Sequence, residues 1–441
     1  MTDQLFQQFR EAVYQSFHKR PDAVLDLVDA LTVAGHVDSP VTLSEQSPFR
    51  RKFSMIYDTL RHAAIDFDAL WHTLLCFMPA ESETIAGYEV HGLDVTKEER
   101  PEAETLPERV SLKSQKEEPV VYGHKYSWLV RLVRWGTSWV APQDLLRIDP
   151  ELSDSQVGGQ QVQQLAQRHP QSKKVVVTDS LYGNHVFLAV FVLLQNLYAL
   201  VRMRITNVLY EQPAPREPGK KGAPQKHGAR FPLASPPRAA DREATWLLGQ
   251  QTVRLQAWQG LHLKKLPKLV VMLLRVEFLK PDGQPRYKHP MWLLWTGPTE
   301  VPLAELCQMY LWRFAIEHLF RFLKQNLGLT SSRSTDLVAT EQWMWLCALA
   351  YWQLLLMRNQ VEAACPAWYP AFRNGKSQGL TPGQVQRAAL GFLLQSGTPA
   401  QAPRVTGKGK GRAKGYRPAP RPRYVVVKKA KTGLKQAVDS P

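Results

Sequence analysis

The chain has 441 residues, 44% apolar and 22% charged, a balance that excludes a disordered or fibrous protein and allows two or three domains with sizeable cores. Its 56 Lys and Arg against 39 Asp and Glu leave a net +17, which points to a polyanionic partner, nucleic acid or an anionic membrane surface. The excess is uneven: the last 41 residues hold 12 Lys and Arg against one acid, and the rest of the chain is only mildly basic.

Residues 1–82 carry Phe6, Phe9, Val13 and Phe17 at helical spacing, then a second such pattern through Phe53, Ile56, Tyr57 and Leu60. They predict an N-terminal helical domain with possible DNA binding. Between the patterns lies the basic cluster SPFRRKF, Ser47 to Phe53, which either meets phosphates or caps and solvates a helix. From 83 to 210 short strand-like runs (86–96, 124–135, 137–142) precede a polar stretch of helical spacing and the run KKVVVTDS. That order predicts a mixed α/β sheet with the VVV strand internal. The apolar stretch from Val186 to Met203 reads as a buried helix turning into a strand.

Residues 211–238 are dense in Pro, Gly and Lys and read as a loop, followed by strand-like segments up to 298, so 211–298 is expected to be an all-β insertion. Residues 299–398 read as helical. The longest apolar run, Trp343 to Met357, spans 15 residues, short of the roughly 18–20 that cross a bilayer, and predicts a buried core helix with no membrane partner. The tail, 399–441, has too much Gly, Pro and charge to fold alone and is expected to be flexible, either binding phosphates without sequence preference or solubilising the chain. Cys76, Cys307, Cys347 and Cys365 form no CxxC or Cys/His cluster, so they read as buried thiols in a reducing compartment. The N-terminus shows no basic start followed by an apolar stretch, and a cytoplasmic protein is expected.

The densest chemistry lies in YLWRFAIEHLFRFLK, residues 310–324. At 100° per residue Tyr310, Arg313, Glu317 and Lys324 fall within a stripe of about 60°, opposite Ile316, Leu319, Phe322 and Leu323. A solvated surface helix has the same polarity split, but the spacing Y-x2-R-x3-E-x6-K is far rarer.

That spacing resembles the YREK signature of the DDE transposases of the insertion sequence four superfamily. The resemblance implies an RNase H-like mixed-sheet catalytic core interrupted by the β insertion, with Glu317 as the third acid of a catalytic triad. Asp94 in GYEVHGLDVT, at the end of the first strand-like run, looks like the first acid. Asp179, which closes KKVVVTDSLYGN, looks like the second, although an aspartate after a strand is also a common turn former or helix cap.

The implied activity is cut-and-paste DNA transposition. Asp94, Asp179 and Glu317 would bind two Mg²⁺ ions, with Mn²⁺ a substitute, and cleave and join DNA strands. The implied partners are double-stranded DNA, both terminal inverted repeats and target, and a second copy of the chain in a synaptic homodimer. Arg313 and Lys324 would grip phosphates and Tyr310 would donate a hydrogen bond to one. His124 and Lys125, at the start of the second strand, are candidate DNA contacts or a structural strand start. Trp258, Trp292 and Trp295 either stack on a flipped base or pack in the core, and Thr330 to Thr335 (TSSRST) meets backbone phosphates or is a plain loop. Two other readings compete: a non-catalytic, transposase-derived DNA-binding protein, and an RNase H-like nuclease that cuts without strand transfer.

Overall fold

The structure, a computed structural model, describes residues 2–112, 119–216, 222–366, 368, 379–404, 407 and 411–428. The middle of the Pro/Lys-rich loop and the tail lysines beyond Lys428 lie outside them.

The N-terminal helical spacing forms α1 (Thr2–Gln15), β1 (Phe17–Lys19), α2 (Pro21–Val33), α3 (Ser54–His62), β2 (Ala64–Ile65) and α4 (Phe67–Cys76), with β1 and β2 pairing as a small ribbon. The chain then runs through β3 (Thr84–Ile85), β4 (Tyr88–Glu99), β5 (Val110–Ser111), β6 (Tyr122–Leu132), β7 (Val140–Arg147), α5 (Asp154–Arg168), β8 (Lys174–Thr178), α6 (His185–Leu188) and β9 (Leu197–Met203). A capping box between Ser153 and Gln156 starts α5. Six more strands follow: β10 (Val208–Glu211), β11 (Arg230–Pro232), β12 (Arg242–Leu248), β13 (Gln251–Leu263), β14 (Leu266–Leu279) and β15 (Met291–Trp295). The last helices are α7 (Leu303–Trp312), α8 (Ala315–Gln325), α9 (Leu337–Ala364) and α10 (Pro382–Ser396).

All strands but the ribbon join one sheet, ordered β11-β10-β13-β14-β15-β9-β8-β4-β6-β5, with β12 beside β13, β3 beside β4 and β7 beside β6. β8 pairs parallel with both β4 and β9, and the other pairings are antiparallel. β8 is buried along its whole length, as its VVV run demands of a central parallel strand. The β-rich stretch of 211–298 is continuous with this sheet rather than a separate one. β15 pairs along β9 and β14 along β15, which covers what would otherwise be an open apolar edge at Leu200 and Val201.

Alternation along the strands assigns the two faces. Leu93, Val176, Ala199 and Val201 face the core under α5 and α6, with Val162, Leu165 and Phe187. Val90, Val175, Val177 and Leu200 face the opposite core, which includes Ile316 and Leu319 of α8 and most of α9.

The N-terminal helices share that second core. Arg10 of α1 forms a buried ion pair with Asp29 of α2, and Gln353 of α9 donates to the same carboxylate at 2.9 Å. The apolar run in α9 is the buried core helix its sequence predicts, and no helix among the described residues is long and apolar enough to cross a membrane.

Two expectations are corrected here. The tail is not wholly free: Tyr424 N donates to Glu104 O and Val427 N to Arg109 O, both at 2.8 Å, so the strap Arg421–Lys428 lies along β5 and Val427 bridges Val110. An edge strand with unpaired backbone groups is what recruits it. Of the cysteines, Cys307 and Cys347 are buried, whereas Cys76 is exposed at the end of α4 and Cys365 is half-buried.

Candidate active site

Asp94 and Asp179 are brought together by strand register. The β4–β8 ladder runs to Leu93 opposite Thr178, so the next residue on each strand is an aspartate, about 4.8 Å away across the sheet. On the other side Thr178 lies opposite Val201, which sets Arg202 of β9 beside Asp179. The alternation Val90, Gly92, Asp94 and Val175, Val177, Asp179 turns both acids to the face covered by α8. Asp94 does not end its strand, as the sequence suggested; β4 continues to Glu99, with Asp94 opposite Trp128 of β6. Asp179 does close its strand: its Oδ1 accepts from Leu181 N at 2.9 Å and its carbonyl from Tyr182 N, the turn-forming bonds an aspartate makes there.

Glu317 is delivered by a close helix-to-strand approach. A Cβ on Gly92 would fall 2.1 Å from Ile316 Cδ1, so any larger residue there would displace the Ile316 side chain that packs α8 on β4. The YREK stretch is not one unbroken helix. α7 ends at Trp312 and α8 begins at Ala315, and the joint is closed by three-residue turns, Arg313 N to Tyr310 O and Glu317 N to Phe314 O, both at 3.1 Å. Arg313 and Phe314 keep right-handed helical backbone angles through the joint, so it is a tightened turn between two helices.

Arg313 is the hub. Its Nη1 donates to Asp94 Oδ2 at 2.8 Å and its Nη2 to Glu317 Oε1 at 3.2 Å. Burial works against its charge, but Asp94, Tyr310, Asp179 and Glu317 outweigh that and raise its pKa, so one cation feels all three acids. Burial pushes Asp94 up to about 6; Arg313 pulls it down and the neighbouring Asp179 pushes it further up. Tyr310 is buried, its hydroxyl raised by that burial and held back by the charges of Arg313 and Arg202. Lys324 stands further along α8, exposed, in a groove with Lys97 and Glu99 of β4.

The structure gathers Asp94, Asp179, Arg313, Glu317 and Tyr310, but not the two candidates on β6. His124 is buried, its Nε2 2.9 Å from Pro107 O, and burial lowers it to about 4. Lys125 is held at 2.9 Å by Asp154 at the start of α5. These are the contacts of a structural strand start, because the side chains alternate into the core and onto α5.

Trp258, Trp292 and Trp295 are all buried, with Trp258 and Trp292 ring to ring at 5.6 Å, so none presents a face to a base. Arg50 and Arg51 of the SPFRRKF cluster both close on the buried Asp26, at 2.7 and 2.9 Å, which makes that cluster a structural clamp. Sequence reading missed Arg202. Its signal lay only in counting the parallel register from Asp179 across to β9.

All three acids offer hard carboxylate oxygens, and the side-by-side Asp94 and Asp179 form a half-site for a divalent cation. Glu317 is drawn to Arg313 instead, and among the described residues no three His, Cys, Asp or Glu side chains are gathered as a metal site.

The site therefore sits on a mixed α/β sheet, with Asp94 on β4, Asp179 just past the neighbouring parallel strand β8, and Glu317 on the helix packed over them. The family model for DDE superfamily endonucleases matches residues 12–264, more than half of the chain, and the chain belongs to that family. The matched region contains Asp94 and Asp179 and ends before Glu317. No curated protein matches the chain.

Proposed function

We propose that the protein is a DDE transposase of the insertion sequence four type, cutting DNA at transposon ends and joining them to a target through Asp94, Asp179 and Glu317. The observation that carries the reading is the convergence of these acids, from positions far apart in the chain, on the single guanidinium of Arg313. Support for an RNase H-like core comes from the order β7-β6-β4-β8-β9, with both aspartates on adjacent parallel strands at its centre.

Divalent ions held by the three acids would polarise the scissile phosphate and lower the pKa of the attacking water. The residues do the rest. Glu317 would join the two aspartates in holding the cation, and Arg313 and Arg202, one beside each aspartate, would meet the phosphate oxygens. Tyr310, buried at the end of α7 and close enough to feel both arginines, accepts through its carbonyl the Arg313 N bond that closes the joint between α7 and α8.

The test is Mg²⁺-dependent cleavage of end DNA by the wild type and by Glu317→Gln. Cleavage by the wild type alone is expected, and equal cleavage by both removes Glu317 from the reaction. Joined products in the same assay separate a transposase from a nuclease that only cuts.

A further inference from the structure

A groove of about 480 Å³ lies between β4 and α8, starting at Val95, the residue after Asp94, and lined by Lys97, Glu99, Phe320, Lys324, Thr330 and Arg333. Three cations face one carboxylate. The loop after α8 is pinned in place from beneath: Arg100, buried and paired with Glu98 at 3.1 Å, donates to Ser332 O and Ser334 O at 2.9 and 2.8 Å. Ser332 is buried and Arg333, between the two anchored carbonyls, is exposed. The C-terminal strap reaches the same loop, Arg421 Nη1 donating to Thr335 Oγ1 at 3.1 Å and Arg423 Nη1 lying 3.1 Å from Glu104 Oε2. Backbone bonds to β5 then fix the strap beyond these arginines.

We propose that this groove and strap form the path of a single DNA strand leaving the active site, its phosphates meeting Lys97 and Lys324, then Arg333, then Arg421 and Arg423. The inference rests on the DNA-cleaving reading above and adds the strand's route and the docked tail as its far wall. Charge is the reason for the partner. Cations set at intervals along an open channel, with the half-buried Phe320 ring in its wall, suit a chain of regularly spaced phosphates carrying stackable bases. A buried Arg–Glu pair spent on holding a surface loop still is preorganisation for a ligand on that loop.

The experiment uses the full chain in EDTA, so that nothing is cut. It compares a blunt duplex with the same duplex bearing a ten-nucleotide 3′ overhang, by fluorescence anisotropy across salt concentrations. The wild type should bind the overhang probe more tightly. In the double variant Arg333→Gln/Arg421→Gln the salt slope for that probe should flatten by about 1.4, roughly 0.7 per phosphate contact on a single strand, with blunt-duplex binding unchanged. Between 50 and 200 mM salt that difference is about sevenfold in affinity. Lys264→Gln, in the β13–β14 turn at the far end of the sheet, serves as the control and should change neither slope. An unchanged overhang slope in the double variant, or an equal loss on both probes, overturns the path. A wild type that fails to cleave in Mg²⁺ strikes at the endonuclease reading and leaves this slope standing.

Discussion

Arg313 and Asp94, 219 residues apart, meet at 2.8 Å through Nη1 and Oδ2, and the same guanidinium holds Glu317. Asp179 pushes the Asp94 carboxyl up and Arg313 pulls it down, so added positive charge beside Asp94 is stabilising. Mg²⁺ should therefore raise the wild-type melting temperature. By mass action a ligand at a hundred times its Kd stabilises by about 2.7 kcal/mol. Differential scanning fluorimetry of Asp94→Asn/Asp179→Asn should show the Mg²⁺ shift abolished, and a shift of wild-type size would show that these aspartates do not hold the ion.

Arg313→Gln leaves a largely buried carboxylate pair without its countercharge. Breaking a fully buried pair costs about 3–5 kcal/mol; Asp94 is 19% and Glu317 44% exposed, so the loss should fall below that, and the variant should still melt lower than the wild type in EDTA. Its Mg²⁺-induced shift should be larger than the wild type's, because the ion now supplies the missing charge. A variant equally stable in EDTA would mean that Arg313 is not the counterion.

Gly92→Ala tests the approach of α8 to β4. The new methyl group would land on Ile316 Cδ1, and overpacking of this kind costs about 1–3 kcal/mol. Urea unfolding should show that loss, and Ile316→Ala added to Gly92→Ala should recover part of it. Cleavage should fall more than stability, since Glu317 follows Ile316 on the helix.

Buried histidines set the acid limit. Burial lowers His91 and His124 to about 4, against an ordinary value of 6.5. The unfolded chain takes up those protons first, so stability is complete above about pH 6.5 and is lost as pH falls toward 4. For His124 the loss is on the order of 3 kcal/mol. His124→Gln should flatten the stability–pH curve in that window, as read by denaturant unfolding at several pH values; an unchanged curve would show that His124 titrates normally.

Val427→Pro removes the backbone donor that ties the strap to Arg109 O. Because Val425 is 89% exposed and Arg423 lies open, little core packing is lost and the melting temperature should move by under about 2 °C. Limited trypsin digestion should then cut after Arg423 or Lys428 faster than in the wild type. Equal rates would show that the strap is not held by that bond.

Much of the chemistry was written in the chain itself. The VVV run demanded a buried central strand leading into Asp179, the spacing of Tyr310, Arg313, Glu317 and Lys324 marked the helical stretch that packs on the sheet beside it, and the apolar run in α9 was too short to be anything but core. These are local properties, fixed by periodicity and side-chain type.

What the tertiary structure decided were relations between distant segments. Parallel register set Arg202 beside Asp179, a glycine on one strand gave the helix bearing Glu317 room to approach, and Asp94, 219 residues away, made a surface-looking Arg313 the partner of two acids. The same holds for what was lost to function: His124, Lys125 and the three tryptophans were claimed by the core and by Asp154, and part of a tail composed like a free coil was captured by an open strand edge. Composition states what a segment can do in water. Which backbone groups and charges it meets depends on partners hundreds of residues away, and only the folded chain supplies them.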